Sequence, residues 1–313
     1  MDCWSTEAKS GPCFRFGECS NGTDVSGGEM MKLMIMSDLH LSKKPWQVRK
    51  ALRMAAQADM VLLVGDLVND GTSEQMEWMR QCIADILQDV PVLAVAGNHD
   101  YPRQPIPMIR EGICDYPALQ DWLLDRQGFP YVLDDSGAWA VRAGVLEIIG
   151  LNCVSHWRRF KFRDGAQLKW LKELMDRSTA QWRIVLCHAP LMAHNPKRSD
   201  TKPYLSRDDQ LQSILNANRH VIFLSGHTHV SIESSVKCVE YDAVRQHIYI
   251  NDGSIRPTTL LREDGKPDLE PKDGNVVELQ LDEDSIVITA ISTMTGQPLF
   301  QEIRNWVDDG WKG

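Results

Sequence analysis

The residues of this chain that could do chemistry fall in five short polar clusters, each placed just after an apolar run: Asp38-Leu39-His40, Gly65-Asp66, Gly97-Asn98-His99-Asp100, Cys187-His188 and Gly226-His227-Thr228-His229. Carboxylate oxygens, an amide oxygen and several imidazoles make a mixed oxygen and nitrogen donor set, which suits Mn, Fe, Zn or Ni rather than calcium. With Asp66 central, one carboxylate could bridge two cations about 3.5–4 Å apart, the spacing that clamps an in-line displacement at phosphorus. Asp38 and His40 are two apart, as are His227 and His229. In extended chain that period points both side chains the same way, so each pair can face one cavity. Taken singly, Asp66 reads as a turn residue and Asn98 as a helix cap. Jointly they do not, because five of the nine histidines fall inside the ordered clusters. His220 and His247 lie outside them and read as satisfied core or surface histidines.

The elements that must position these clusters are legible as periodicity. Lys32–Ser37, Met60–Val64, Pro91–Ala96, Val145–Leu151, Arg183–Leu186 and Val221–Leu224 are near-continuous apolar runs, the pattern of strands buried on both faces. Amphipathic segments lie between them at Trp46–Gln57, Ser73–Gln88, Asp164–Arg177 and Ser206–Ala217, with helix-start chemistry or apolar residues at three- and four-residue spacing. Every cluster sits at the carboxyl end of a predicted strand, the edge of an open α/β sheet where ligand sites are built. After His229 the runs alternate, over Ile232–Tyr241, His247–Asn251 and Asn275–Ile291. The chain therefore reads as an α/β domain whose later strands form a second sheet packed on the first.

Composition bounds the rest. With 313 residues, 43% of them apolar, the chain can bury a core as one large domain or one domain with small additions. No run of about 18 apolar residues exists, so no membrane span is expected. A net charge of −9 argues against a broad grip on nucleic acid and favours a small substrate. Eight cysteines without a CxxC read as reduced, cytoplasmic thiols, with a zinc role for Cys3, Cys13 and Cys19 the weaker reading. Residues 1–30, rich in Gly, Ser and Cys, read as a disordered tail, and Met30-Met31 could be the natural start.

Residues 101–130 break the alternation with Pro102, Pro105, Pro107 and Pro117 and the aromatics Tyr101, Tyr116 and Trp122. They read as a cap-like insertion whose aromatics fill a small core of their own or stack on a base. His156, Arg158 and Arg159, and then His194, Lys197 and Arg198, follow strands at the expected rim and are candidates to contact substrate. Residues 301–313 read as a C-terminal tail in which Trp306 and Trp311 close the domain or meet a partner, a homodimer among the options.

The ordered series DxH, GD, GNHD, H and GHTH resembles the calcineurin-like metallophosphoesterase family, over roughly residues 32–260. The resemblance implies a two-sheet β-sandwich flanked by helices, occupying residues 31–300. Residue by residue it implies Asp38, His40 and His229 on a first metal, Asn98, His188 and His227 on a second, and Asp66 bridging. The metals implied are Mn or Fe, with Zn or Ni as further options. Two cations would neutralise the phosphate oxygens and turn a bridging water into hydroxide near neutral pH. Asn98 and His99 would face the substrate, and His99 would protonate the departing alkoxide as general acid. A carboxylate, Asp100 or Asp70, would hold the far nitrogen of that ring.

The phosphoprotein-phosphatase branch reads GDxxDRG, whereas here the segment is Gly65-Asp66-Leu67-Val68-Asn69-Asp70-Gly71, with Asn69 in place of an aspartate. This spacing, the following Ser73-Glu74 and the segment Asp164–Leu174 are similar to the class III cyclic-nucleotide phosphodiesterase branch. The activity implied is hydrolysis of phosphodiesters, cyclic nucleotides among them. Broad-specificity phosphomonoester hydrolysis and a non-enzymatic scaffold of the same fold are the alternatives.

Overall fold

The near-continuous apolar runs become parallel strands. The computed structural model describes residues 30–101, 115–156, 159–162, 165–196, 205, 208–233, 238–256, 258–261, 267–282 and 285–305. In it β1 (Met31–Met36), β2 (Met60–Val64) and β3 (Val92–Val95) run in parallel, with Leu33 opposite Met60 and Leu62 opposite Leu93. A second parallel set comprises β6 (Leu146–Leu151), β9 (Trp182–Cys187), β10 (Val221–Ser225) and β12 (His247–Asn251).

Antiparallel strands extend both sets. β15 (Asn275–Leu281), β16 (Ser285–Ser292) and β17 (Pro298–Asn305) give a six-stranded sheet of order β17-β16-β15-β1-β2-β3. β4 (Tyr131–Leu133), β5 (Trp139–Ala143) and β11 (Val239–Asp242) complete a seven-stranded sheet of order β11-β12-β10-β9-β6-β5-β4. Two hairpins stand apart, β7 (Val154–His156) with β8 (Arg159–Lys161), and β13 (Thr258–Leu261) with β14 (Pro267–Lys272).

The two-sheet architecture matches expectation, but the assignment of later strands to a sheet of their own does not. β11 and β12 join β10, while β15 pairs with β1 from the opposite end of the chain, Ile35 facing Val277. Alternation marks a half-buried strand without saying which sheet it completes.

Each parallel strand sends alternate residues to opposite faces. Leu33, Ile35, Leu62, Val64, Ile148, Ile184, Leu186, Ile222 and Leu224 meet between the sheets, each almost wholly buried. On the outer face of the six-stranded sheet, Met34, Met36, Val61 and Leu63 pack against α1 (Trp46–Met54), α2 (Ser73–Ile86) and α3 (Tyr116–Arg126). Outside the other sheet, Ile149, Val185 and Phe223 pack against α4 (Ala166–Arg177) and α5 (Asp209–Asn216). The result is four layers, helix, sheet, sheet, helix. Every fully buried Leu or Ile contributes about 1.5–3 kcal/mol.

Helix α3 corrects part of the cap reading. Pro117 sits in its first turn, where no amide donor is needed, and Tyr116 is buried with its hydroxyl donating to Ala94 O at 3.0 Å. Residues 116–126 thus belong to the helical layer over β3, and Trp122 lies under the guanidinium of Arg126, 5.0 Å from the ring centre. Residues 102–114 of the expected cap lie outside the described residues, as do 1–29 and 306–313 with Trp306 and Trp311. The boundary expected at residue 300 falls inside β17, which continues to Asn305. Cys82, Cys153, Cys187 and Cys238 are free and buried, and the other four cysteines lie outside the described residues. Among the described residues no helix is long and apolar enough to cross a membrane.

One contact within the seven-stranded sheet is unusually close. Gly150 of β6 lies opposite Trp139 of β5, and a Cβ on Gly150 would stand 2.1 Å from the indole, whose Nε1 donates to Ala94 O at 3.0 Å. Gly150→Ala is expected to destabilise the fold by about 1–3 kcal/mol through overpacking. In urea unfolding the midpoint should fall at constant m; an unchanged midpoint would show that the indole can move without cost.

Candidate functional site

The segments that follow β1, β2, β3, β9 and β10 carry the five clusters to one edge of the sandwich. The chain after β1 lies along the chain after β2: Asp38 N donates to Gly65 O at 3.0 Å, His40 N to Asp66 O at 2.9 Å, and Leu41 N to Leu67 O at 3.0 Å. The extended backbone expected at Asp38-Leu39-His40 and His227-Thr228-His229 is not found. Asp38, His40, Asp66, His227 and His229 are all left-handed, with φ between 46° and 70°. Asp and His tolerate this region better than most residues, yet each such residue costs on the order of 1 kcal/mol. The turn lets Asp38 and His40 share a side while Leu39 between them is fully buried in the helix-side core.

Two groups of potential ligand atoms result, each within 4.8 Å: Asp38, His40 and His229, and Asp66, His188 and His227. His229 Nε2 lies 2.9 Å from Asp38 Oδ1, and His40 Nε2 lies 3.1 Å from His229 Nε2. One oxygen, Asp66 Oδ2, links the groups, 3.4 Å from His188 Nε2 and 3.8 Å from His40 Nε2. Gly97 makes this possible, since a Cβ there would stand 2.2 Å from Asp66 Oδ1. His188 Nδ1 is 2.7 Å from Val64 O, an acceptor only, so Nδ1 carries a hydrogen and Nε2 is the nitrogen aimed at the centre. Phe160 walls this group, its ring 4.5 Å from that of His227.

His99 joins His40 and Asp66 in a third group, and its ring meets that of His40 edge-on at 4.5 Å. Its main-chain N–H donates to Asp66 Oδ1 at 2.7 Å. The ring is held by a main-chain carbonyl: Nδ1 lies 2.7 Å from Asn69 O. Asp100, expected as one carboxylate that could hold this ring, instead accepts the main-chain N–H of Val68 at 3.0 Å and of Gly97 at 2.8 Å. Asp70 accepts from Gln75 Nε2 and Asn69 Nδ2, both at 3.0 Å. Asn98, one residue before His99, has a buried Oδ1 with no hydrogen-bond partner.

The electrostatics follow from burying two carboxylates among imidazoles. Burial pushes the Asp38 carboxyl up, but His229, His188 and His40 outweigh it and hold the group well below the usual carboxylate range. Burial raises Asp66 too, and His188 brings it down to about 2. His40 is pushed down to about 4 by burial, and His227 to about 3 by burial and the neighbouring His188. Burial alone would lower His188 and His229; the carboxylates of Asp66 and Asp38, respectively, raise them instead.

The residues fit metal ions. Asn98 Oδ1 is buried without a hydrogen-bond partner, Asp38 Oδ1 and His188 Nε2 are buried facing other members of the set, and the set is the mixed oxygen and nitrogen type preferred by transition metals.

Two expected substrate contacts stand differently. The side chain of His156 in β7 lies outside the described residues, with Arg158, Lys197 and Arg198. His194 is engaged elsewhere: its ring stacks on Tyr249 at 3.5 Å and its Nδ1 lies 2.9 Å from Glu240 Oε2.

Residues the motifs did not reveal support the site from behind. Arg256 donates to the carbonyls of Leu39 and His40. Ser37 Oγ lies 2.6 Å from Asp38 Oδ2 and 2.5 Å from Asp252 Oδ1. Burial pushes Asp252 up to about 8, against its hydrogen bond with Ser37 and aided by the charge of Asp38. Asn251-Asp252-Gly253 follows an apolar strand just as the five clusters do, a signal masked by its resemblance to an ordinary turn.

Comparison with known proteins agrees with this geometry. Residues 31–231 match the family model of the calcineurin-like phosphoesterases. A protein of Moraxella catarrhalis named as a probable cyclic nucleotide phosphodiesterase is 28% identical over 176 residues, covering 53% of this chain and 60% of the relative. A Synechococcus protein with the same description is 24% identical over 216 residues, 64% of this chain and 75% of its own. Among solved structures, a purple acid phosphatase from yellow lupin seeds shares the fold, with a TM-score of 0.60 at 14% identity over 88% of this chain and 54% of its own. On the extent of the family match and the arrangement of its strand-end clusters, the chain belongs to the calcineurin-like phosphoesterase family.

Proposed function

We propose that this chain is a metal-dependent phosphodiesterase, with cyclic nucleotides within its substrate range. The observation that carries the reading is the pair of ligand groups joined by a single carboxylate oxygen, Asp66 Oδ2. Asp38, His40 and His229 would hold one cation, Asn98, His188 and His227 a second, with Asp66 shared. Such ions, when bound, neutralise phosphoryl oxygens and lower the pKa of water toward neutrality. Mn and Fe are the ions the family resemblance implies, with Zn and Ni, which such donors bind more tightly, as competitors.

The chain's own part is positioning and proton transfer. Asn69 O accepts the hydrogen of His99 Nδ1, so the proton given to the departing alkoxide would come from Nε2 of the imidazolium, leaving the neutral ring with its hydrogen on Nδ1. Preference for diesters rests on the relatives named as probable cyclic nucleotide phosphodiesterases. Asn69 in place of the protein-phosphatase aspartate is consistent with it.

A parallel turnover screen tests the reading, with cyclic nucleotides, chromogenic diesters and monoesters each offered with Mn, Fe, Zn or Ni. Diester turnover that a chelator removes and Mn or Fe restores is the expected result. Faster monoester turnover would replace the reading with a phosphomonoesterase. Protein that retains no transition metal, and that none activates, would leave a scaffold.

A further inference from the structure

Behind the candidate metal groups lies a line of three buried oxygens with more contacts than one hydroxyl can satisfy. Ser37 Oγ sits between two carboxylates, 2.6 Å from Asp38 Oδ2 and 2.5 Å from Asp252 Oδ1. All three residues are buried, Ser37 to 1%, Asp38 to 0% and Asp252 to 2% exposure, so water does not solvate the line. A serine hydroxyl carries one hydrogen and can donate it to only one of these oxygens. Two such short contacts need two hydrogens, so the second belongs to a carboxyl.

Asp38 is the wrong carboxyl to carry it. Its Oδ2 already accepts the main-chain N–H of His227 at 2.8 Å, and its Oδ1 faces His229 Nε2 at 2.9 Å. Asp252 meets Ser37 through Oδ1, and its second oxygen, Oδ2, is buried without a hydrogen-bond partner. A neutral acid bears an orphaned oxygen at far less cost than an anion does. The raised pKa of Asp252 agrees with the hydrogen count.

We infer that Asp252 is a positioning residue: as a neutral acid it donates to Ser37, and Ser37 donates to Asp38 Oδ2, which orients Oδ1 of Asp38 toward the metal group of His40 and His229. The line is anchored on both sides. Asp252 N donates to Ser225 O at 3.0 Å, Asn275 Nδ2 donates to Asp252 O at 2.7 Å, and Ile255 N donates to Ser37 O at 3.4 Å. Strands β10, β12 and β15 thereby act on a residue at the end of β1. Because Oδ2 of Asp38 also holds the N–H of His227, the same line sets where the β10 loop begins.

The inference rests on the metal reading above, and the test separates the two. Purified protein is stripped of metal and titrated with Mn alone by calorimetry, in the wild type and in Asp252→Ala, Asp252→Asn, Ser37→Ala and the double Ser37→Ala/Asp252→Ala variant, each checked for a cooperative melting transition. Hydrolysis of a chromogenic diester is followed in parallel. Asp252→Ala and Ser37→Ala should each weaken the Mn site of Asp38, His40 and His229 by about 10–100-fold and the other site by less. Asp252→Asn, whose amide can still donate to Ser37, should restore affinity to within about threefold. The double variant should cost no more than the larger single loss, since both residues act through one hydrogen bond.

Folded Ser37→Ala or Asp252→Ala protein that binds both ions as the wild type does would overturn the inference alone. So would additive losses in the double variant, or an Asp252→Asn variant as weak as Asp252→Ala. A wild type that takes up no Mn would overturn both this inference and the metal reading.

Discussion

Asp66→Asn is expected to lower kcat/KM for a phosphodiester by about a hundredfold to a thousandfold, and to weaken metal uptake at both groups together. The scale is that of removing one preorganised electrostatic partner from a buried site. The double effect is specific to this residue, because Oδ2 of Asp66 stands between His188 Nε2 at 3.4 Å and His40 Nε2 at 3.8 Å. An amide keeps the shape and removes the charge that both groups share. Its second atom is also compromised, since Oδ1 receives the N–H of His99 at 2.7 Å and an amide nitrogen in that place would meet donor with donor. Metal analysis beside steady-state kinetics checks this. A variant that retained two ions at unchanged affinity would remove Asp66 from its shared role.

The second large effect separates proton transfer from metal binding. His99→Gln should retain metal and lose about 10²–10⁴-fold in kcat, the usual contribution of a positioned acid. The loss should be steepest for esters with basic leaving groups and should shrink for a nitrophenolate, which departs without a proton. The physical basis is the Asn69 carbonyl at 2.7 Å from Nδ1, which fixes the tautomer and aligns the ring edge-on to His40 at 4.5 Å. Glutamine fills the space but supplies no titrating nitrogen. Equal losses across a series of leaving groups would assign His99 to substrate binding instead.

How much of this was readable in the chain depends on which physical rule spoke for each part. Strands buried on both faces announce themselves by unbroken apolar runs, and β1, β2, β3, β6, β9 and β10 lie within one or two residues of expectation. The five clusters could be placed at one edge because their positions relative to those strands were visible. What periodicity does not encode is partnership. Nothing in Asn275–Leu281 says that its neighbour is Met31–Met36, and the later strands were accordingly expected in a sheet apart. Helix α3 is hidden by the prolines at 102, 105, 107 and 117, although Pro117 at a first turn is compatible with a helix.

The site shows the same division. Residue types gave the donor set, but the left-handed backbone of Asp38, His40, Asp66, His227 and His229 is invisible in a sequence where glycine is the usual marker of positive φ. Supporting residues were hidden for another reason. Ser37 and Asp252 are 215 positions apart and meet only once two sheets have formed around β1 and β12. His194 erred the other way: a histidine near a rim loop looked available, whereas Tyr249 and Glu240 already occupy its face and its edge.

The pairing of β1 with β15 bears on how the protein comes to exist in the cell. β1 carries Asp38 and His40 at its end, yet its outer neighbour β15 is synthesised only after both parallel sets of strands. Asp252 and Asn275, which brace that end from behind, are also late arrivals. Until β15 is synthesised β1 therefore has one bare edge, and such an edge invites pairing with other chains. The candidate site is braced from behind only when β15 arrives, so the pairing that closes the edge of β1 also finishes the site.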